Sequence, residues 1–270
     1  MKPAMPLALL TLVNLLAVQG VAQQVPLHGE SVIEFATIER SSQVLTRDDW
    51  FIQSLSKFDL QSRIQAPGDL TTEHYFEFVK KHIVRWKPDE IEKLTAAIQS
   101  ASEKMKPYRI PFPQKIFLVA TDGKEEGGAA YCRGNAVVLP RSMVSGRRVS
   151  SLEKLLIHEL FHVLSNQNAE VRKELYAIIG FQPCGEIKLP QAFADKKITN
   201  PDGPTIDYYV NLKVDGNVIP AVPLVLAKSD YDLKKGGSFF SYLELRLMAI
   251  QKNHSGWVPR GVDGAPQFFD

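Results

Sequence analysis

From Ser151 to Ser165, apolar residues recur at the three- and four-residue spacing of a helix: Leu152, Leu155, Leu156, Leu160, Val163 and Leu164, with Ile157 and Phe161 between them. The pattern predicts one amphipathic helix, followed by a second over Asn168 to Ile179 that Gly180 ends as its C-cap. Upstream, Thr46 to Lys57 predicts a helix opened by a capping Thr, with Asp48 and Asp49 where negative charge suits the helix dipole. Thr72 to Trp86 and Pro88 to Lys106 predict two more, the latter with Pro in its first turn. Gln23 to Arg40 shows no strong period, so residues 23–45 read as a loosely attached arm, with a propeptide as the other reading.

Beyond the Pro-rich break at Pro107 to Pro113 the period changes. Lys115 to Thr121 and Ala129 to Leu139 are rich in β-formers, and the intervening Asp122, Gly123, Gly127 and Gly128 predict two strands joined by a turn. Ile206 to Val214 and Val218 to Ala227 flank Asp215 and Gly216 as a hairpin, in which Pro220 and Pro223 predict that the second strand is an edge. In Tyr242 to Ile250, Leu243, Leu245, Leu247 and Ala249 alternate with other side chains, which favours a strand over a helix. The tail from Asn253 to Asp270, rich in Gly and Pro, reads as irregular.

The first 22 residues follow another logic. Met1 and Lys2 make a short positive start, Leu7 to Val18 an apolar core, and Gly20, Val21 and Ala22 a small-residue site ahead of Gln23. This is the pattern of a bacterial secretory signal peptide, and its apolar core is shorter than the roughly 20 residues a membrane span needs. The expectation is a secreted or periplasmic protein, residues 23–270 forming one domain without stable membrane insertion. Lys and Arg number 32 against 30 Asp and Glu, a net charge of +2 that gives no electrostatic reason to bind nucleic acid. Two cysteines, Cys132 and Cys184, leave open a single disulfide or two free thiols.

Inside the Ser151 to Ser165 helix, His158, Glu159, Leu160, Phe161 and His162 spell HExxH. Chance places such a pentad in roughly one chain of this length in a hundred or two, so its setting decides. Between Ile157 and Leu164 the only charge is Glu159, and two histidines and a carboxylate among so many apolar residues are costly to desolvate unless something binds them. Four residues apart on a helix, His158 and His162 share a face and can converge on one Zn2+, while Glu159 sits one position round as base for a metal-bound water. His74 and His82 read instead as surface or core histidines.

The pentad, preceded by helices and then strands, resembles the zincin metallopeptidases. The runs AAYCRGNAVVLP (Ala129 to Pro140), LYAIIGF (Leu175 to Phe181) and TNPDGP (Thr199 to Pro204) look like those of a poorly characterised group of secreted bacterial proteins with the same pentad. The resemblance implies an α+β fold with a helical N-terminal part and a small mixed sheet whose edge strand precedes the HExxH helix. It implies His158 and His162 as zinc ligands, Glu159 as general base and a peptide or protein as substrate. The metzincin extension is excluded, because Ser165 and Asn168 stand where Gly and His belong. No third ligand matches a motif: Glu170, Glu174, Glu244 and His254 all stay open, as do a truncated C-terminus and the loss of that ligand. Arg133 reads as an exposed ion pair or a binder of a substrate carboxylate, and no tyrosine is assigned to oxyanion stabilisation. The alternatives to a peptidase are a hydrolase of the same fold whose target is a non-peptide amide and a non-catalytic zincin-like binding or structural protein with an incomplete metal site.

Overall fold

The computed structural model describes residues 23–203, 205–262 and 265–269, so the expected signal peptide lies outside the described residues. The architecture is mixed α+β with two main sheets. The first contains β1 (Gln24–His28), β2 (Ser31–Phe35), β3 (Lys115–Thr121), β4 (Tyr131–Arg133) and β5 (Ala136–Pro140), in the order β1-β2-β3-β5-β4. β2, β3 and β5 run parallel, while β1 and β4 pair antiparallel at the two edges. Strand alternation sends successive side chains to opposite faces, and both faces are covered. Ile116, Leu118, Cys132, Val137 and Leu139 meet one layer of helices, whereas Val119, Tyr131, Ala136 and Val138 meet another.

The second layer is built by α1 (Ile38–Leu45), α2 (Trp50–Ser54), α3 (Lys57–Ile64) and α4 (Thr72–His82), and the first by α5 (Pro88–Met105), α6 (Arg141–Ser145) and α7 (Val149–Gln167). After α7 come α8 (Ala169–Ile178) and α9 (Gln191–Ala194). The second sheet combines β6 (Gln182–Pro183), β7 (Tyr208–Val214), β8 (Asn217–Ala227), β9 (Leu243–Asn253) and β10 (Gly256–Pro259) in the antiparallel order β10-β9-β8-β7-β6. β11 (Gly261–Val262) pairs with β12 (Ala265–Pro266), and β13 (Phe268–Phe269) adds to β9.

Several elements depart from the sequence reading. The arm is a structural hairpin: Val25, Leu27, Ile33 and Phe35 are buried in the core, and Gly29, at φ +56°, makes the two-residue turn between β1 and β2. Residues 38–45 continue as α1, which Thr37 caps. The helix expected over Thr46 to Lys57 is only the short α2, and a separate helix, α3, begins at Lys57. Asp49 accepts from the backbone of Phe51 and Ile52 to start α2, and Ser56 with Asp59 forms a capping box that starts α3. The strand expected over Ala129 to Leu139 folds back on itself at Gly134, φ +58°, giving the β4–β5 hairpin.

β8 is a central strand rather than an edge. Its pairing with β7 covers Asn217 to Ala221 and its pairing with β9 covers Ala221 to Ala227, so the two overlap only at Ala221. Pro220 and Pro223 therefore each have a strand on one side only, where a missing N–H is tolerated. The tail is not irregular, because Trp257, Val258, Phe268 and Phe269 are β-formers that extend β9 on its free sides. Cys132 is buried and Cys184 half-buried, and both are free thiols.

A buried ionic cluster joins the halves. Arg63 pairs with Asp59 one turn away and reaches Glu126 through Nε and Nη2 at 2.9 and 2.8 Å. Its Nη2 also donates to the Thr199 carbonyl at 2.7 Å, while Asp59 accepts from the Thr199 amide at 3.0 Å and hydroxyl at 2.6 Å. Removing one member leaves the others charged and unpaired in the interior. Arg63→Ala is expected to lower unfolding free energy by about 3–5 kcal/mol. Lys57→Ala, which breaks an exposed pair with Asp69, should leave the urea midpoint where it is.

Candidate metal centre

Helix α7 turns Leu152, Leu156, Leu160 and Val163 onto the sheet, and this fixes what its remaining faces present. His158 comes out exposed and His162 half-buried on one stripe, as the four-residue spacing requires. The two rings cross at 80° with their Nε2 atoms 3.2 Å apart. Two ligands of a tetrahedral zinc at about 2.0–2.1 Å stand about 3.3–3.4 Å from each other, so the imidazoles are already spaced as two vertices of such a site. Burial and the neighbouring His158 push the His162 pKa down to about 4, which keeps its ring neutral, the form that coordinates a metal. Its Nδ1 is buried without a hydrogen-bond partner.

Glu159 turns inward and is 2% exposed. Burial, aided by the Asp202 carboxylate, raises its pKa to about 8, and its Oε2 has no hydrogen-bond partner. Asp202, in the loop after Thr199, is pushed up to about 7 by burial, against the opposing effect of the Cys132 N–H. Among the described residues neither carboxylate is in an ion pair, so a region next to the imidazole pair holds two acids with no cation to answer them. A divalent cation held by the imidazoles would supply that charge.

The edge strand β4 packs against α7 through Cys132, whose Sγ lies 3.8 Å from Asn166 Nδ2. Its three residues are buried although it is an edge, because the loop carrying Asp202 covers it: the Cys132 N–H donates to Asp202 Oδ1 at 2.6 Å. One outward backbone donor of the edge is thus satisfied by a side chain rather than by a further strand. TNPDGP stands out in the sequence without pointing to a role for Asp202, since nothing local pairs it with a strand 70 residues earlier.

The other sequence candidates lie elsewhere. Glu170 and Glu174 are exposed on α8, Glu244 lies on β9 beside Arg246 at 3.7 Å, and His254 is exposed in the β9–β10 turn. Among the described residues no group of three or more His, Cys, Asp or Glu gathers in positions to hold a metal ion. Arg133 is neither exposed nor free for substrate, for it is 1% exposed, pairs with Asp49 at 2.9 Å and stacks on Phe51 at 4.5 Å. Tyr131 is buried with its hydroxyl toward Glu125, whereas Tyr208 lines a cavity beside His162. His74 accepts from the Thr71 amide, and His82 pairs with Asp122 at 2.9 Å. No family model, curated protein or solved structure matches the chain.

Two outcomes follow from these contacts. In Asp202→Ala, amide hydrogen exchange at Cys132 should accelerate at least about tenfold while amides within β3 keep their protection; unchanged exchange at Cys132 would show the contact to be idle. In metal-free protein, Glu159 binds its proton more tightly folded than unfolded, so it makes stability fall as pH rises from the ordinary 4.5 toward about 8. Glu159→Gln should flatten that slope and be more stable than wild type at pH 8 in chelator. His162 acts oppositely, favouring the folded state as pH rises from about 4 through 6.5.

Proposed function

We propose that the protein is an exported zinc-dependent metallopeptidase of zincin type, with His158 and His162 as ligands and Glu159 as general base. The observation that carries this reading is the 3.2 Å approach of the two Nε2 atoms on one face of α7, beside a buried Glu159 whose Oε2 has no partner. The order of elements supports it as well. A mixed sheet ends in the antiparallel edge strand β4, and the HExxH helix follows in the chain and packs against it.

Zinc bound there would lower the pKa of its water to about 7 and polarise the scissile carbonyl. Glu159 would take the proton of the attacking water and pass it to the departing amine. The second reading, a non-catalytic zincin-like binding protein, draws on the fact that the described residues gather two metal-binding imidazoles without a third side chain in place.

Metal analysis of purified protein separates these readings. Wild type and Glu159→Gln are expected to hold about one zinc per chain, and His158→Ala and His162→Ala to lose it. Glu159→Gln should lower kcat on peptides by about 10²–10⁴-fold. Wild type that takes up no stoichiometric zinc would sink the metal centre. Zinc uptake without cleavage across a broad peptide library would select the binding role.

A further inference from the structure

A cavity of about 360 Å³ opens beside His162. Its walls are largely apolar: Tyr176 comes from α8, Ile179 and Phe181 from the segment after it, Tyr208 from β7 and Val225 from β8. The rings are organised against each other, Tyr176 lying 4.8 Å from Tyr208 and 5.9 Å from Phe181. Its one cationic side chain, Arg172, is already engaged, with Asp207 at 3.3 Å and its guanidinium stacked over the Tyr208 ring at 5.4 Å. Asp207 in turn accepts from Thr205 Oγ1 at 2.9 Å. The remaining acid, Asp202, stands with His162 in the same lining.

From this we infer that the cavity is the specificity pocket of the site, taking a large aliphatic or aromatic side chain of a peptide substrate next to the bond that is cleaved. The inference rests on the peptidase reading and names its substrate class. Three features carry it. The volume is at the lower end of small-ligand pockets, enough for one bulky side chain and its adjoining backbone. The lining carries no unpaired cation to receive an acidic side chain, and its two acids are already engaged, Asp207 by Arg172 and Asp202 by the Cys132 N–H. His162, one of the two imidazoles of the proposed metal site, is part of the lining, so a side chain seated there lies next to that site. Ile179, 65% exposed, and Phe161, 36% exposed, mark the mouth, where apolar surface would otherwise face water.

The test uses Glu159→Gln protein incubated with zinc and a set of fluorescent octapeptides that differ at one central position, carrying Phe, Leu, Ala, Lys or Glu. Fluorescence anisotropy is expected to show Phe and Leu peptides binding at least about tenfold more tightly than Ala, Lys or Glu peptides. Ile179→Glu, at an exposed mouth position, should remove that preference and favour the Lys peptide. Ile178→Glu, 80% exposed and outside the lining, should leave the ranking unchanged and so controls for surface charge. Equal affinities across the set, a preference for Lys or Glu in unsubstituted pocket, or an Ile179→Glu protein that ranks peptides as its parent does would each overturn the inference. Zinc uptake and cleavage without side-chain preference would overturn the pocket alone. Apolar preference in protein that takes up no zinc would overturn the metal centre and keep the pocket.

Discussion

Arg63 is the residue on which the arrangement depends. It is fully buried, and its guanidinium holds Asp59 on its own helix, Glu126 in the turn between β3 and β4, and the Thr199 carbonyl at the entrance to the second sheet. Three distant stretches of chain are thereby fixed to one planar group whose donors point in set directions. Asp59 completes the closure by accepting from the amide and hydroxyl of Thr199. Asp202, which meets the edge of β4, follows three residues later, so the helical N-terminal half positions a group beside Glu159 without contributing a side chain to the proposed metal centre.

Burial of the one helix α7 has opposite electrostatic effects on two of its residues. Packing of α7 on the sheet turns Glu159 inward and raises its proton affinity, while its helix neighbour His162 loses affinity for a proton through the same burial. Glu159 thus holds its proton beside a neutral His162. One burial event acts on both the proposed ligand and the proposed base.

What the sequence revealed divides along physical lines. The HExxH helix, β3 and the β7–β8 hairpin were legible because their signals are local: helical spacing around His158 and His162, a run of β-formers from Lys115 to Thr121, and a turn at Asp215 and Gly216. The hairpin of β1 and β2 was missed because its five-residue strands are too short for a period to stand out, although Val25 with Leu27 and Ile33 with Phe35 alternate as strand residues do. The helices after Thr46 were misjoined because Asp49 and Ser56 are both capping residues inside one apolar run. Asp202 and the burial of Arg133 were invisible for a different reason: each depends on a partner 70 or more residues away.

The staggered pairing of β8 has a consequence for how the molecule avoids its own kind. On the side from which β7 departs after Ala221, residues 196–198 take over pairing from Val225 onward, with the Ile198 amide donating to the Val225 carbonyl at 2.8 Å. Residues 222–224 are left as a short gap in that side of the sheet, and Pro223 sits in its middle. A foreign strand seeking to fill the gap would meet a nitrogen with no hydrogen to give. The proline therefore leaves that gap without a donor, in the wall it shares with the cavity beside His162.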